Sequence, residues 1–122
     1  MSFQINMPYI GGILSKNASR WHKTRGMKFP VRMWMKELTK KAMDLNISNA
    51  PFYIIEVKGL FEDNRSPDVH NFFEVIADAL KKKRGSGGLG VDDKFFKMVD
   101  RGFKTGYFDQ ELIVTIIPQE EG

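Results

Sequence analysis

The chain contains no cysteine. That excludes disulfides and thiolate zinc centres, and it fits a cytoplasmic protein. No apolar run approaches the roughly 20 residues of a membrane helix. The opening MSFQINMPYIGG lacks the charged start and apolar block of a signal peptide. No membrane association is expected. Histidine is scarce, with His22 and His70 alone. Neither lies in a nucleophile-elbow context, so a hydrolytic triad finds no support. No GxxxxGK[ST] occurs, which excludes a P-loop. Gly85–Gly90 (GSGGLG) spells GxGxxG, but it follows a helical pattern and precedes a strand pattern. A dinucleotide fingerprint needs the reverse order, so a Rossmann site is excluded too.

What is present suits one folded domain spanning residues 1–122. Hydrophobic residues make up 42% of the chain and charged ones 28%, and ten Phe promise a real core. The net charge of +4 is unevenly spread. Lys16, Arg20, Lys23, Arg25 and Lys28 form one basic block without an acid, and Lys81, Lys82, Lys83 and Arg84 form another. Between them, Glu62, Asp63, Asp68, Glu74 and Asp78 face only Arg65. Cations for phosphate flanking carboxylates for an ion would suit a metal-using nuclease. Charge alone fits a solvated surface better. In the first basic block, Asn17, Trp21 and His22 add groups suited to phosphate contact and base stacking. Trp21 could equally anchor its loop to the core, and the two roles are compatible.

Periodicity sets out the elements. Residues 2–7 alternate as a strand, and 13–28 show no period and read as a long basic loop. From Pro30 to Leu45, apolar residues recur at helical spacing, opposite Arg32, Lys36, Lys40 and Lys41. Residues 52–61 (FYIIEVKGLF) read as a central strand. A second helix is expected from Pro67 to Lys83, with Ser66 as N-cap. It buries Val69, Phe72, Phe73, Ile76, Ala79 and Leu80, and it aligns His70, Glu74 and Asp78 on the other face. Strands at 94–101 and 111–118 follow, joined by a turn at Lys104–Gly106. The order is β-α-β-α-β-β, an α+β fold with a mixed sheet and two helices packed on it.

Asp68, His70, Asp92 and Asp93 form the strongest chemical constellation. Mg²⁺ takes carboxylate oxygen, commonly one or two protein carboxylates with water and substrate phosphate. A histidine in the set shifts preference toward Mn²⁺. An Asp at a helix start and one entering the next strand can converge if those elements are neighbours. Capping by Asp68, exposure of His70 and turn formation by Asp92 and Asp93 would also explain these residues.

The run PDVHNFFEVIADAL…GLGVDD resembles the RusA family of Holliday junction resolvases. That family carries Asp-x-Asp-Asn at a helix start, Asp-Ala-Leu near its end, and a glycine before an Asp-Asp pair. Here these are Asp68-Val69-His70-Asn71, Asp78-Ala79-Leu80 and Gly90-Val91-Asp92-Asp93. The upstream LSKNASRW is similar to the family's basic, asparagine-containing loop. The resemblance implies a homodimeric, Mg²⁺-dependent endonuclease that binds four-way DNA junctions and nicks opposing strands symmetrically, serving DNA recombination and repair. It implies that Asp68 and Asp93 bind metal with Asp92 beside them; the two basic blocks offer Lys16, Asn17, Arg20, Trp21, Lys23, Arg25, Lys82, Lys83 and Arg84 as the residues expected to grip DNA. The chain departs from the pattern at three places. His70 replaces the second motif Asp, Glu74 replaces the catalytic helix lysine, and KKKRGSGG lengthens the loop before the Asp pair. Glu74 removes a cation and adds a fourth candidate ligand. The loop lysines or Lys94 could restore the cation. A non-catalytic protein for branched or single-stranded DNA is the alternative on the same fold. In either case DNA affinity should fall linearly with salt on logarithmic axes, because phosphate contacts release counterions. Filter binding across a salt series measures that slope, and a flat response excludes nucleic acid as the ligand.

Overall fold

The computed structural model describes residues 1–15, 28–65, 68–81 and 88–120. The β-α-β-α-β-β order expected from the sequence is the one observed. Four strands, β1 (Phe3–Pro8), β2 (Phe52–Leu60), β3 (Phe96–Lys104) and β4 (Glu111–Gln119), form one mixed sheet in the order β1-β4-β2-β3. β4 pairs antiparallel with both β1 and β2, whereas β2 and β3 run parallel. A parallel pair needs a crossover between its strands, and the second helical segment supplies it.

Burial alternates cleanly along the central strands. Tyr53, Ile55 and Val57 of β2 and Leu112, Val114 and Ile116 of β4 face the helices, with Ile5 and Met7 of β1 beside them. Helix α1 (Phe29–Asp44) carries Pro30 in its first turn, where a missing N–H costs nothing. Its buried stripe is Val31, Trp34, Leu38 and Ala42, the spacing that keeps one face on the sheet. Trp34 Nε1 donates to the carbonyl of Pro8 at 2.7 Å, tying α1 to the end of β1. Asn46, at φ 50°, takes the left-handed conformation just beyond the helix. Among the described residues, no helix is long and apolar enough to cross a membrane.

The second helix differs from the expected single span. Val69–Phe72 is a 3-10 turn, and only Phe73–Leu80 is α-helical (α2). The cause is local: both the backbone N–H and the side-chain Nδ2 of Asn71 donate to the carbonyl of Asp68, at 3.0 and 3.1 Å. That closes an i→i+3 turn and takes up the acceptor of the first helical turn. The straight alignment of His70, Glu74 and Asp78 is therefore broken, because the 3-10 turn advances its side chains by a different angle. Ser66 and Pro67, the expected cap and first residue, lie outside the described residues. So do Lys82 and Lys83 at the other end.

α2 packs Val75, Ile76, Ala79 and Leu80 into the core, and Thr39 Oγ1 of α1 donates to the Ala79 carbonyl at 2.6 Å. Past α2, Leu89 N–H returns to the Leu80 carbonyl at 2.7 Å, with Gly88 at φ 71°. A Cβ on Gly88 would lie 2.0 Å from the Lys81 carbonyl oxygen. Gly88→Ala therefore combines a left-handed strain with a backbone clash, and should cost about 1–3 kcal/mol of unfolding free energy. Chemical denaturation compares the two proteins. A loss under about 0.5 kcal/mol would show that the segment repacks freely.

Candidate functional site

The crossover decides where each candidate lands. β2 and β3 are parallel, so α2 between them runs in the opposite sense. The turn that precedes α2 consequently sits near the C-terminal ends of β2 and β3, and the residues after α2 sit near the N-terminal end of β3. Residue contacts agree: the 3-10 turn Val69–Phe72 touches β2 and β3, while α2 meets a second 3-10 turn, Asp93–Phe95, at the start of β3.

At the first of these ends, Asp68 occupies the N-cap position with φ −59° and ψ 146°, yet its carboxylate makes no capping hydrogen bond. It is exposed. The turn is instead held by Asn71 through the Asp68 carbonyl, which leaves the carboxylate pointing away from the work of capping. His70 is exposed two residues on. Its Nδ1 lies 3.8 Å from Oδ2 of Asp100, an ion-pair distance when the imidazole is protonated. Asp100 stands opposite Val57 in the β2–β3 register, on the helix side of the sheet. Its Oδ1 accepts from the Gly102 N–H at 2.6 Å, so the carboxylate is fixed toward the turn. Asp100 is a neighbour of the candidate residues that the motif-based reading did not include. Its only signal in the sequence was an acid interrupting the apolar face of a strand.

At the opposite end, Asp92 occupies the N-cap position of the 3-10 turn that Asp93 begins, without a side-chain capping bond, and both are exposed. Lys81 Nζ, at the end of α2, lies 3.2 Å from Asp78 Oδ1. The hydrogen bond and charge of Asp78 raise the Lys81 pKa, and Asp93 and Asp92 add to the effect, so the amine stays cationic at any physiological pH. The cation that feels the Asp pair is thus Lys81, the first of the loop lysines that the sequence suggested. Glu74, half-buried in the first turn of α2, lies between the two ends. Lys94 stacks its ammonium 5.1 Å from the Phe95 ring centre.

The expected convergence of Asp68 and His70 with Asp92 and Asp93 is not made within one chain. β3 from Phe96 to Asp100, at about 3.3 Å per residue, and the 3-10 turn before it, at about 2 Å per residue, set Asp93 and Asp100 roughly 15–20 Å apart. Among the described residues, no group of three or more His, Asp or Glu could hold a metal ion. A closed cage is therefore not what these residues offer. Mg²⁺ commonly binds through one or two carboxylates, completing its shell with water and substrate phosphate. At this end the exposed donors are the Asp68 carboxylate and the His70 imidazole, with Asp100 beside the latter. The expected DNA-gripping residues Lys16, Asn17, Arg20, Trp21, Lys23, Arg25, Lys82, Lys83 and Arg84 all lie outside the described residues.

No protein-family model and no curated protein matches the sequence.

An Asp68 that does not cap should be dispensable for folding. Asp68→Ala should shift stability by less than about 0.5 kcal/mol, whereas loss of a working Asp cap costs about 1 kcal/mol. Thermal denaturation decides between the two, and the larger loss would return Asp68 to a structural role.

Proposed function

We propose that the chain is a divalent-metal-dependent endodeoxyribonuclease that acts on branched DNA, nicking four-way junctions as a homodimer in the manner of the RusA family. The observation that carries this reading is the turn Asp68–Val69–His70–Asn71. It sits near the C-terminal ends of two parallel strands, with an uncapping carboxylate at Asp68 and with His70 beside Asp100. In open α/β sheets that edge is where ligands bind. Paired nicks call for two sites related by a two-fold axis, which a symmetric dimer provides.

In this reading Asp68 supplies the charged oxygen donor and His70 the second donor. Asp100 orients the imidazole and keeps its far nitrogen available, the role a carboxylate plays behind a ligating histidine. A bound Mg²⁺ or Mn²⁺ would supply Lewis acidity toward the phosphate and a more acidic water. The Asp92–Asp93 pair with Lys81 belongs to the same chemistry if a second chain brings it to this end, since one chain holds the groups apart. Without a second chain it is a separate polar cluster on the DNA-facing surface.

The test is cleavage of a labelled four-way junction with Mg²⁺ or Mn²⁺. Asp68→Asn should abolish nicking with junction binding retained, and Asp100→Asn should slow it roughly 10- to 100-fold. Asp93→Asn should also abolish it, which would place Asp93 of one chain at the Asp68 of another. Normal cutting by Asp93→Asn would confine the site to Asp68, His70 and Asp100. Normal cutting by Asp68→Asn would end the assignment.

The absence of a three-donor group among the described residues favours a second reading: a protein that binds branched or single-stranded DNA without cutting it. A gel shift of intact junction across several metals, with no product, would select it.

A further inference from the structure

Beyond β3, at the same end of the sheet as Asp68 and His70, the turn into β4 displays Phe108, 89% exposed, with Tyr107 and Phe103 each 38% exposed. A Phe that buries almost nothing contributes little to folding. Its turn is nevertheless held firmly. Gly106 N–H donates to the Glu62 carbonyl and Tyr107 N–H to the Phe61 carbonyl, both at 3.0 Å. Gln110 Oε1 accepts from Glu62 N–H at 2.9 Å, and the Gln110 carbonyl accepts from Tyr9 N–H at 3.0 Å. The ring is thus carried on a braced support.

That support is continuous with the candidate site through a chain of aromatic rings. Phe72, in the turn that holds His70, meets Tyr9 at 5.5 Å between ring centres. Tyr9 meets Phe61 at 4.8 Å, and Phe61 meets Phe103 at 5.6 Å. Phe103 is the last ring of this series, and Phe108 follows five residues later in the turn to β4.

We propose that the β3–β4 turn is a stacking platform on which Phe108, flanked by Tyr107 and Phe103, holds an unpaired base of DNA beside the Asp68–His70 turn. The proposal rests on the nuclease or DNA-binding reading above and names what distinguishes its substrate: a branch that offers unstacked bases. The surrounding charge favours a base over a backbone. Asp109, next to Phe108 in the chain, and Glu62, whose backbone is bonded to the same turn, disfavour a phosphate there, but they leave an uncharged flat π-face unopposed. Exposed Lys104 at the same end can meet a phosphate to one side, and Asp63 and Arg65 neutralise each other at 2.6 Å. Stacking on an aromatic side chain does not depend on which base is presented. The platform would therefore select structure, not sequence.

The experiment uses the full chain, a four-way junction carrying 2-aminopurine at the branch, and a duplex of the same sequence. Wild type should bind the junction in preference to the duplex and change the 2-aminopurine fluorescence. Phe108→Leu, which keeps apolar bulk without a ring, should lose about ten-fold or more of that preference and the fluorescence change, while duplex affinity stays. Phe108→Trp should restore both. An unchanged fluorescence response and preference in Phe108→Leu would overturn the platform while leaving the site reading intact. A wild type that ignores the junction would overturn both. If Phe108→Leu instead changes the mass measured by light scattering in solution, the ring is a subunit contact and the proposal fails.

Discussion

The parallel pairing of β2 with β3 is the constraint on which the rest of the molecule depends. Two parallel neighbours cannot be joined by a tight turn, so the chain must leave the end of β2, cross the sheet and re-enter at the start of β3. α2 makes that crossing and buries Val75, Ile76, Ala79 and Leu80 as it does so. Its direction is then no longer adjustable. The residues just before it collect at one end of the strand pair and those just after it at the other.

That direction separates residues that lie close together in the sequence motif. Asp68 and His70 are gathered with Asp100, an acid from far along the chain, while Asp92 and Asp93 are gathered with Asp78 and Lys81. Each group has its own electrostatic character. The first is an exposed His with one fixed carboxylate behind it, and the second is an acid cluster with a cation in its midst. The first end is also the aromatic one, where Phe72, Tyr9, Phe61 and Phe103 make a run of tilted and edge-on ring contacts and Phe108 is exposed in the turn after β3. A polar turn and an aromatic turn face solvent at one end of the sheet, and the proposed substrate matches that combination.

Most of the fold was legible because burial imposes a period. The alternation in β2 and β4 and the three-and-four spacing of Val31, Trp34, Leu38 and Ala42 are consequences of one covered face, so they appear directly in residue type. The 3-10 turn at Val69–Phe72 was not legible, because Asn71 has no period to reveal and acts through a single shared carbonyl. Asp68 shows the same limit. Its position suggested a cap, and only the observed bonding separates a cap by place from a cap by chemistry.

Residue pattern alone carried the order of strands and helices among the described residues, the absence of thiolate and P-loop chemistry, and the acidic and basic residue types from which a phosphate site could be made. Those are properties of composition and local period, and they need no knowledge of what lies across the core. Which acids stand together was decided by tertiary structure alone. The sense of a crossover and the register of Asp100 against Val57 are relations between distant segments. The prominence of Phe108 has the same origin, since a ring is exposed or buried only once the opposing surface is in place.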